Sequence, residues 1–256
     1  MKKTLKKNWI LIIPAISIAA VSWQYMSVFG TVIATPTDIE KGYAAFGQFG
    51  DYFGGLLNPI LAFLNIALIA YYQQTSVAKS TEKDVLFRMI DSHARIVAGI
   101  ELKSNGESNS GSRAFWIFDN DIKERYKQLP LNMQDTASKK LGDLVRVYSA
   151  YYHDAYKKQY LGHYFRNLYL IYKTIHMSGV FSEEEKQHFA KIVRAQLSHI
   201  EQKLLYLNCK LDDGKEFRKY VKAYNILEWI DDKEFDNYDI AFSTSNVIKE
   251  DIASWS

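Results

Sequence analysis

Arg194 and His199, with four residues between them, are the pair in this chain whose types could work together on a phosphodiester. On one unbroken helix the two lie about 140° apart around the axis, which is poor for joint work on one phosphate. The other reactive types are scattered. There is no phosphate-cradling glycine loop and no His/Cys cluster at metal spacing. His153 and His163 are too far apart for one helical pair, His176 and His188 stand alone, and the serines lack a nucleophile-elbow context. The expectation is a protein that is not an enzyme, with no catalytic residue, metal or cofactor.

The helix expected from Glu183 to about Asn208 opens with Ser182 and Glu185 at capping-box spacing. Phe189, Val193, Leu197, Ile200, Leu204 and Leu207 make its apolar stripe. Beside it run Arg194, Ser198, Glu201, Leu205 and Asn208, at spacings of three and four. Such a line is either a polar seam between helices or a recognition and regulatory surface.

A second constellation lies near the start of the chain, in Gly47-Gln48-Phe49-Gly50-Asp51-Tyr52-Phe53-Gly54-Gly55. Gly50 and Gly54 form a GxxxG pair, which lets another helix come close. Asp51 is acidic where an apolar run begins, and Asn58-Pro59 would kink or loosen the helix. These residues read either as an interfacial aspartate with a packing kink, or as a polar seam on a helix that assembles with copies of itself.

The elements that must carry these residues follow from charge and periodicity. No Asp, Glu, Lys or Arg occurs from Asn8 to Thr37, nor from Tyr52 to Ala78. A bilayer core of ~30 Å needs about 20 apolar helical residues. Trp9–Phe29 and Phe49–Tyr72 each supply them, which predicts a two-helix transmembrane hairpin over residues 1–76. Lys2, Lys3, Lys6 and Lys7 precede the first run, and Lys79, Lys83 and Arg88 follow the second. Positive charge on the untranslocated side puts both termini in the cytoplasm of an inner-membrane, multi-pass protein. The competing reading is a cleaved signal peptide, against which the apolar run continues through Val28 and Phe29. Cys209 alone permits no internal disulfide.

From 77 to 230 the pattern predicts a cytosolic helical domain, so the fold class is all-α. Leu86, Ile90, His93, Val97 and Ile100 form one stripe to about Leu102, with His93 as a hydrogen-bonded core residue. That helix can run straight on from the second span. Ser104–Ser112 reads as a flexible loop, a short helix runs from Ala114 to about Leu129, and Lys139–His176 is helical with an interruption at Gly162. Residues 231–256 read as an acidic C-terminal tail. A formal charge of +3, much of it in the N-terminal lysines, gives no direct nucleic-acid site. The 18 tyrosines recur inside helical patterns and read as packing surface rather than as stacking platforms for bases.

Three runs in order resemble the putative phage abortive infection protein family. They are Phe49-Gly50-Asp51-x-x-Gly54-Gly55-x-x-Asn58-Pro59, then Gly162-His163-Tyr164-Phe165-Arg166-x-Leu168-Tyr169, then Arg194-Ala195-Gln196-Leu197-Ser198-x-x-Glu201. The resemblance covers the hairpin and the body to about Asn208, and adds His163 and Arg166 to the recognition seam. It implies antiviral defence by killing or arresting the infected cell. The chain is also similar to two-transmembrane effectors associated with retrons, in which a reverse transcriptase and its RNA–DNA product restrain the toxin. The partners expected are the lipid bilayer, further copies of the chain in an active homo-oligomer and, by resemblance, that inhibitory complex. Arg194-x4-His199 fits the spacing used by ribonucleases of the HEPN class. A membrane-tethered RNase and a passive scaffold are therefore the rival readings.

Overall fold

The structure, a computed structural model, describes residues 12, 16–27, 39–104, 107–130, 136–230, 235 and 247–255. The chain forms two compact units, Met1–Ala78 and Lys79–Ser256.

In the first unit residues 16–27 form helix α1. Helix α2, Ile39–Gly99, begins here and carries Pro59 inside it. A proline has no N–H to give the carbonyl four residues back, yet α2 continues through Asn58-Pro59. Val21 and Tyr25 of α1 and Leu57 of α2 are buried, and the rings of Tyr25 and Tyr52 lie 5.8 Å apart. Elsewhere this part of α2 presents large apolar side chains outward, with Phe63 72% and Ile66 67% exposed. Among the described residues one helical stretch, Gly50–Gly99, is long and apolar enough to cross a membrane. Most of Trp9–Ala15, with Val28 and Phe29, lies outside the described residues, so the expected two-span hairpin is not shown.

The second unit is almost entirely helical. Residues 79–99 of α2 bury Leu86, Ile90 and His93, as their spacing predicts. The helix stops at Gly99 rather than near Leu102, and an antiparallel hairpin follows. Its strands are β1, Glu101–Ser104, and β2, Glu107–Ser110, in register from Glu101 opposite Ser110 to Ser104 opposite Glu107. The chain is thus nearly all-α, and the hairpin replaces the loop expected over Ser104–Ser112. In the sequence Asn105-Gly106 is a pair suited to a two-residue hairpin connection, a signal that the loop reading passed over.

Helix α3, Ser112–Lys127, buries Phe115, Phe118, Ile122 and Tyr126. Helix α4, Ala137–Tyr152, starts at Thr136, whose side chain accepts from the Lys139 amide. Helix α5, Ala155–Met177, contains Gly162. The interruption expected at Gly162 therefore falls at His153-Asp154 instead. There the His153 ring meets the Ser149 carbonyl at 2.7 Å, and the Asp154 carboxylate accepts from the Lys157 amide.

The expected helix from Glu183 to Asn208 is two helices, α6 over Glu183–Arg194 and α7 over His199–Lys210. Both open with a complete capping box, Ser182 with Glu185 and Ser198 with Glu201. Every residue of α7 from Glu201 to Cys209 is buried. A short 3₁₀ turn, Asp212–Phe217, leads into α8, Arg218–Tyr224. The segment expected as an acidic tail contributes α9, Val247–Ser254, to the same unit. Asp251 of α9 accepts from Tyr206, Lys210 and the Trp255 indole, and the Trp255 ring stacks on Tyr206.

His93 illustrates how this core handles a titratable group. Its Nδ1 lies 3.1 Å from Asn167 Oδ1 and its ring 4.8 Å from that of Tyr164. Burial lowers its pKa to about 4, so the folded chain binds fewer protons than the unfolded one between that value and 6.5. Stability is full above the unfolded pKa and is lost as pH falls, by about 3 kcal/mol in total. Urea unfolding of the detergent-solubilised chain at pH 7 and pH 4 should show this loss, and His93→Leu should lack it.

Candidate functional site

One face of α5 carries Gly162, Phe165, Arg166 and Tyr169, at positions i, i+3, i+4 and i+7. Opposite it stand Asn208 of α7, then Asp213, Gly214, Glu216 and Phe217 of the 3₁₀ turn, with Tyr152 at the end of α4. Together they line a cavity of about 280 Å³. Tyr169 and Phe217 meet edge to face at 5.7 Å, which makes one aromatic wall. A Cβ on Gly162 would sit 3.4 Å from the Tyr152 hydroxyl, so the glycine lies directly beside that phenol.

The turn after α7 can form only around glycine. A Cβ at Gly214 would lie 2.6 Å from both the carbonyl carbon and Oδ1 of Asn208. Arg218 Nε donates to the Cys209 carbonyl at 2.7 Å, satisfying one of the acceptors that the end of α7 leaves open.

The mouth is charged. Arg166 is exposed and donates from Nε to the Gly162 carbonyl at 3.1 Å. Asp213 pairs with Lys158 at 3.1 Å, and His153 stands 3.8 Å from the same carboxylate. Glu216 pairs with Lys219. Burial, then the Asp213 carboxylate, raise the Tyr152 phenol above its ordinary pKa, so it remains a neutral donor. Aromatic walls, one buried amide and a charged mouth can hold a small molecule or a side chain, with orientation set by few polar groups.

The expected recognition seam separates into distinct places. Arg166 and Asn208 share the cavity. His163 lines a different one, of about 270 Å³, with Ile96, Ile100 and Tyr160. Ser198 and Glu201 form the second capping box, and Tyr164 donates to Glu201 at 2.9 Å. Arg194 ends α6 and turns toward the segment after α8. It donates to the Asn225 carbonyl at 2.9 Å, pairs with Glu228 and lies 5.3 Å over the Trp229 ring. Arg194 and Glu201 therefore do not share one helix face, because α6 stops between them. His199 is exposed at the start of α7, on a different helix from Arg194.

Sequence reasoning missed three parts of this region. Ser198-x-x-Glu201 was legible as a second cap. Asp212-Asp213-Gly214 was legible as a turn. The ion pair between buried Lys203 and Asp119, 84 residues apart at 2.7 Å, carries no local signal. Among the described residues no group of three or more His, Cys, Asp or Glu could hold a metal ion. In the first unit Gly50, Asp51, Gly55 and Asn58 are exposed along α2, with Gly54 partly covered and Pro59 exposed beside them.

Residues 156–235 match the family described as putative phage abortive infection protein. Searches of curated proteins and of solved structures each found no match. Apart from Tyr152, every residue lining the first cavity lies inside the matched segment. So do Gly162–Tyr169 and Arg194–Glu201, two of the three runs that carried the resemblance. The abortive-infection match begins later in the chain than the resemblance did, leaving out the Phe49–Pro59 run. It also ends later, reaching the buried Phe235. At a coarse level the match supports a role in antiphage defence.

Proposed function

We propose that this chain is an antiphage effector of the abortive-infection type, which disrupts the inner membrane when released from inhibition. The observation that carries the reading is a pairing within one chain. The family-matched helical body accompanies a helix long and apolar enough to cross a bilayer, whose large side chains face outward. On this reading the hairpin of residues 9–29 and 49–72 spans the membrane with both termini in the cytoplasm, and the active form is a homo-oligomer. The body senses or docks a restraining partner through its recognition residues. By resemblance that partner is a reverse transcriptase with its RNA–DNA product. The effector acts without catalysing a reaction.

Induced expression in bacterial cells stained with a membrane-potential dye tests this. Depolarisation should precede loss of viability, and the fragment 79–256 should be harmless. RNA decay with an intact potential would instead favour the tethered RNase. No effect even during phage infection would leave the scaffold.

A further inference from the structure

Asp51, Asn58 and Asn65 follow one another at intervals of seven along α2. Gly47, Gly54 and Leu61 interleave with them at the same interval, giving alternating steps of four and three. Seven residues fall only about 20° short of two helical turns, so these six make one nearly straight stripe. It has the form of a coiled-coil seam, with polar residues at one core position and small or apolar ones at the other.

The stripe is open. Asp51, Asn58 and Asn65 are exposed and make no side-chain hydrogen bond among the described residues. Leu57 is buried, but Asn58 projects about 100° away from it around the axis. The glycines have no internal reason to be glycine. A Cβ at Gly47 would meet nothing within 4 Å, and one at Gly54 would meet only Asn58 Nδ2 at 3.6 Å, an ordinary contact. Small residues on an open helix face permit another backbone to come close.

We propose that this stripe is a self-association seam, on which a second copy of the chain docks in parallel and in register. This rests on the reading of α2 as a membrane span. Lipid tails offer the amides no partner, whereas copies inserted the same way meet at the same depth. Asn58 then faces Asn58 and Asn65 faces Asn65. An asparagine side chain both donates and accepts, so each amide satisfies its own counterpart. Buried asparagines at such core positions fix register and strand number. Asp51 lies where the span begins, within reach of water.

Single cysteines at 58, 65 and 63 in the full-length chain test the seam under oxidising cross-linking in native membranes. Cys209 is fully buried and stays in place. Asn58→Cys and Asn65→Cys each keep the other amide, and Phe63→Cys reports the opposite side of the helix. Disulfide-linked dimer should form at 58 and 65 in about tenfold excess over 63, and Asn58→Leu with Asn65→Leu should cut chemically cross-linked dimer about tenfold. Equal or absent cross-linking at all three positions in carbonate-resistant protein overturns the seam and leaves the span intact. Protein that carbonate extracts from the membrane overturns the span and the seam together.

Discussion

Gly54→Leu and Asp51→Ala should each abolish killing while the membrane-fraction protein level stays unchanged. The first atom of the new side chain is accommodated, because a Cβ at position 54 meets only Asn58 Nδ2 at 3.6 Å. Leucine also favours a helix interior over glycine by roughly 1 kcal/mol, so misfolding of α2 is not the expected route to loss. What the leucine removes is a close approach from outside the chain. Asp51→Ala removes the one acidic group of the stripe without shortening the apolar run. Colony counts after induction, with an immunoblot of the membrane fraction, give the measurement. Phe63→Leu, on the opposite side, should kill like the parent chain. Survival of killing in Gly54→Leu would reduce α2 to an anchor and move the activity into the body.

The body should respond most strongly to Lys203→Met. Lys203 is 2% exposed, and its ammonium lies 2.7 Å from Asp119, whose side chain is also largely buried. Removing the ammonium takes the close cation from a largely buried carboxylate, at about 3–5 kcal/mol. A domain holds a net stability of only about 5–15 kcal/mol, so a large share would go. Adding Asp119→Leu should recover part of the loss, because the buried charge goes with its cation. Arg194→Met should be milder, at about 1–3 kcal/mol. Its partner Glu228 is 44% exposed and can return to water, leaving the Asn225 carbonyl and the Trp229 face as the losses. Urea unfolding of the detergent-extracted chain ranks the three. An Arg194→Met chain as unstable as Lys203→Met would mean that the clasp on 225–229 holds far more than its own turn.

The helices of the body were largely legible because their buried faces repeat at three and four. Leu86, Ile90 and His93 lie where periodicity puts them, and Ser182 with Glu185 announced α6. The same periodicity concealed the break before α7. Leu197, Ile200, Leu204 and Leu207 continue the stripe across the gap almost in phase, so a chain that stops and restarts looks continuous. The hairpin after Gly99 was hidden by a serine- and asparagine-rich composition that equally suits a loop. Gly162 reads locally as a helix breaker, yet it lies inside α5 against the Tyr152 hydroxyl. The cavity could not be seen at all. Its walls come from α4, α5, α7 and the turn at Gly214, and no local pattern says that these segments meet.

Glu185 is shared. One of its oxygens accepts from the Ser182 amide and closes the cap of α6, and the other holds Lys79 of α2 at 2.7 Å. The bond to Lys79, then that to Ser182, hold its carboxyl below the ordinary glutamate pKa. A single carboxylate thus ties α2 to the start of α6, with one oxygen for each. A change at Lys79 is therefore expected to alter the cap at Ser182. Amide exchange at Ser182 is the place to listen for it.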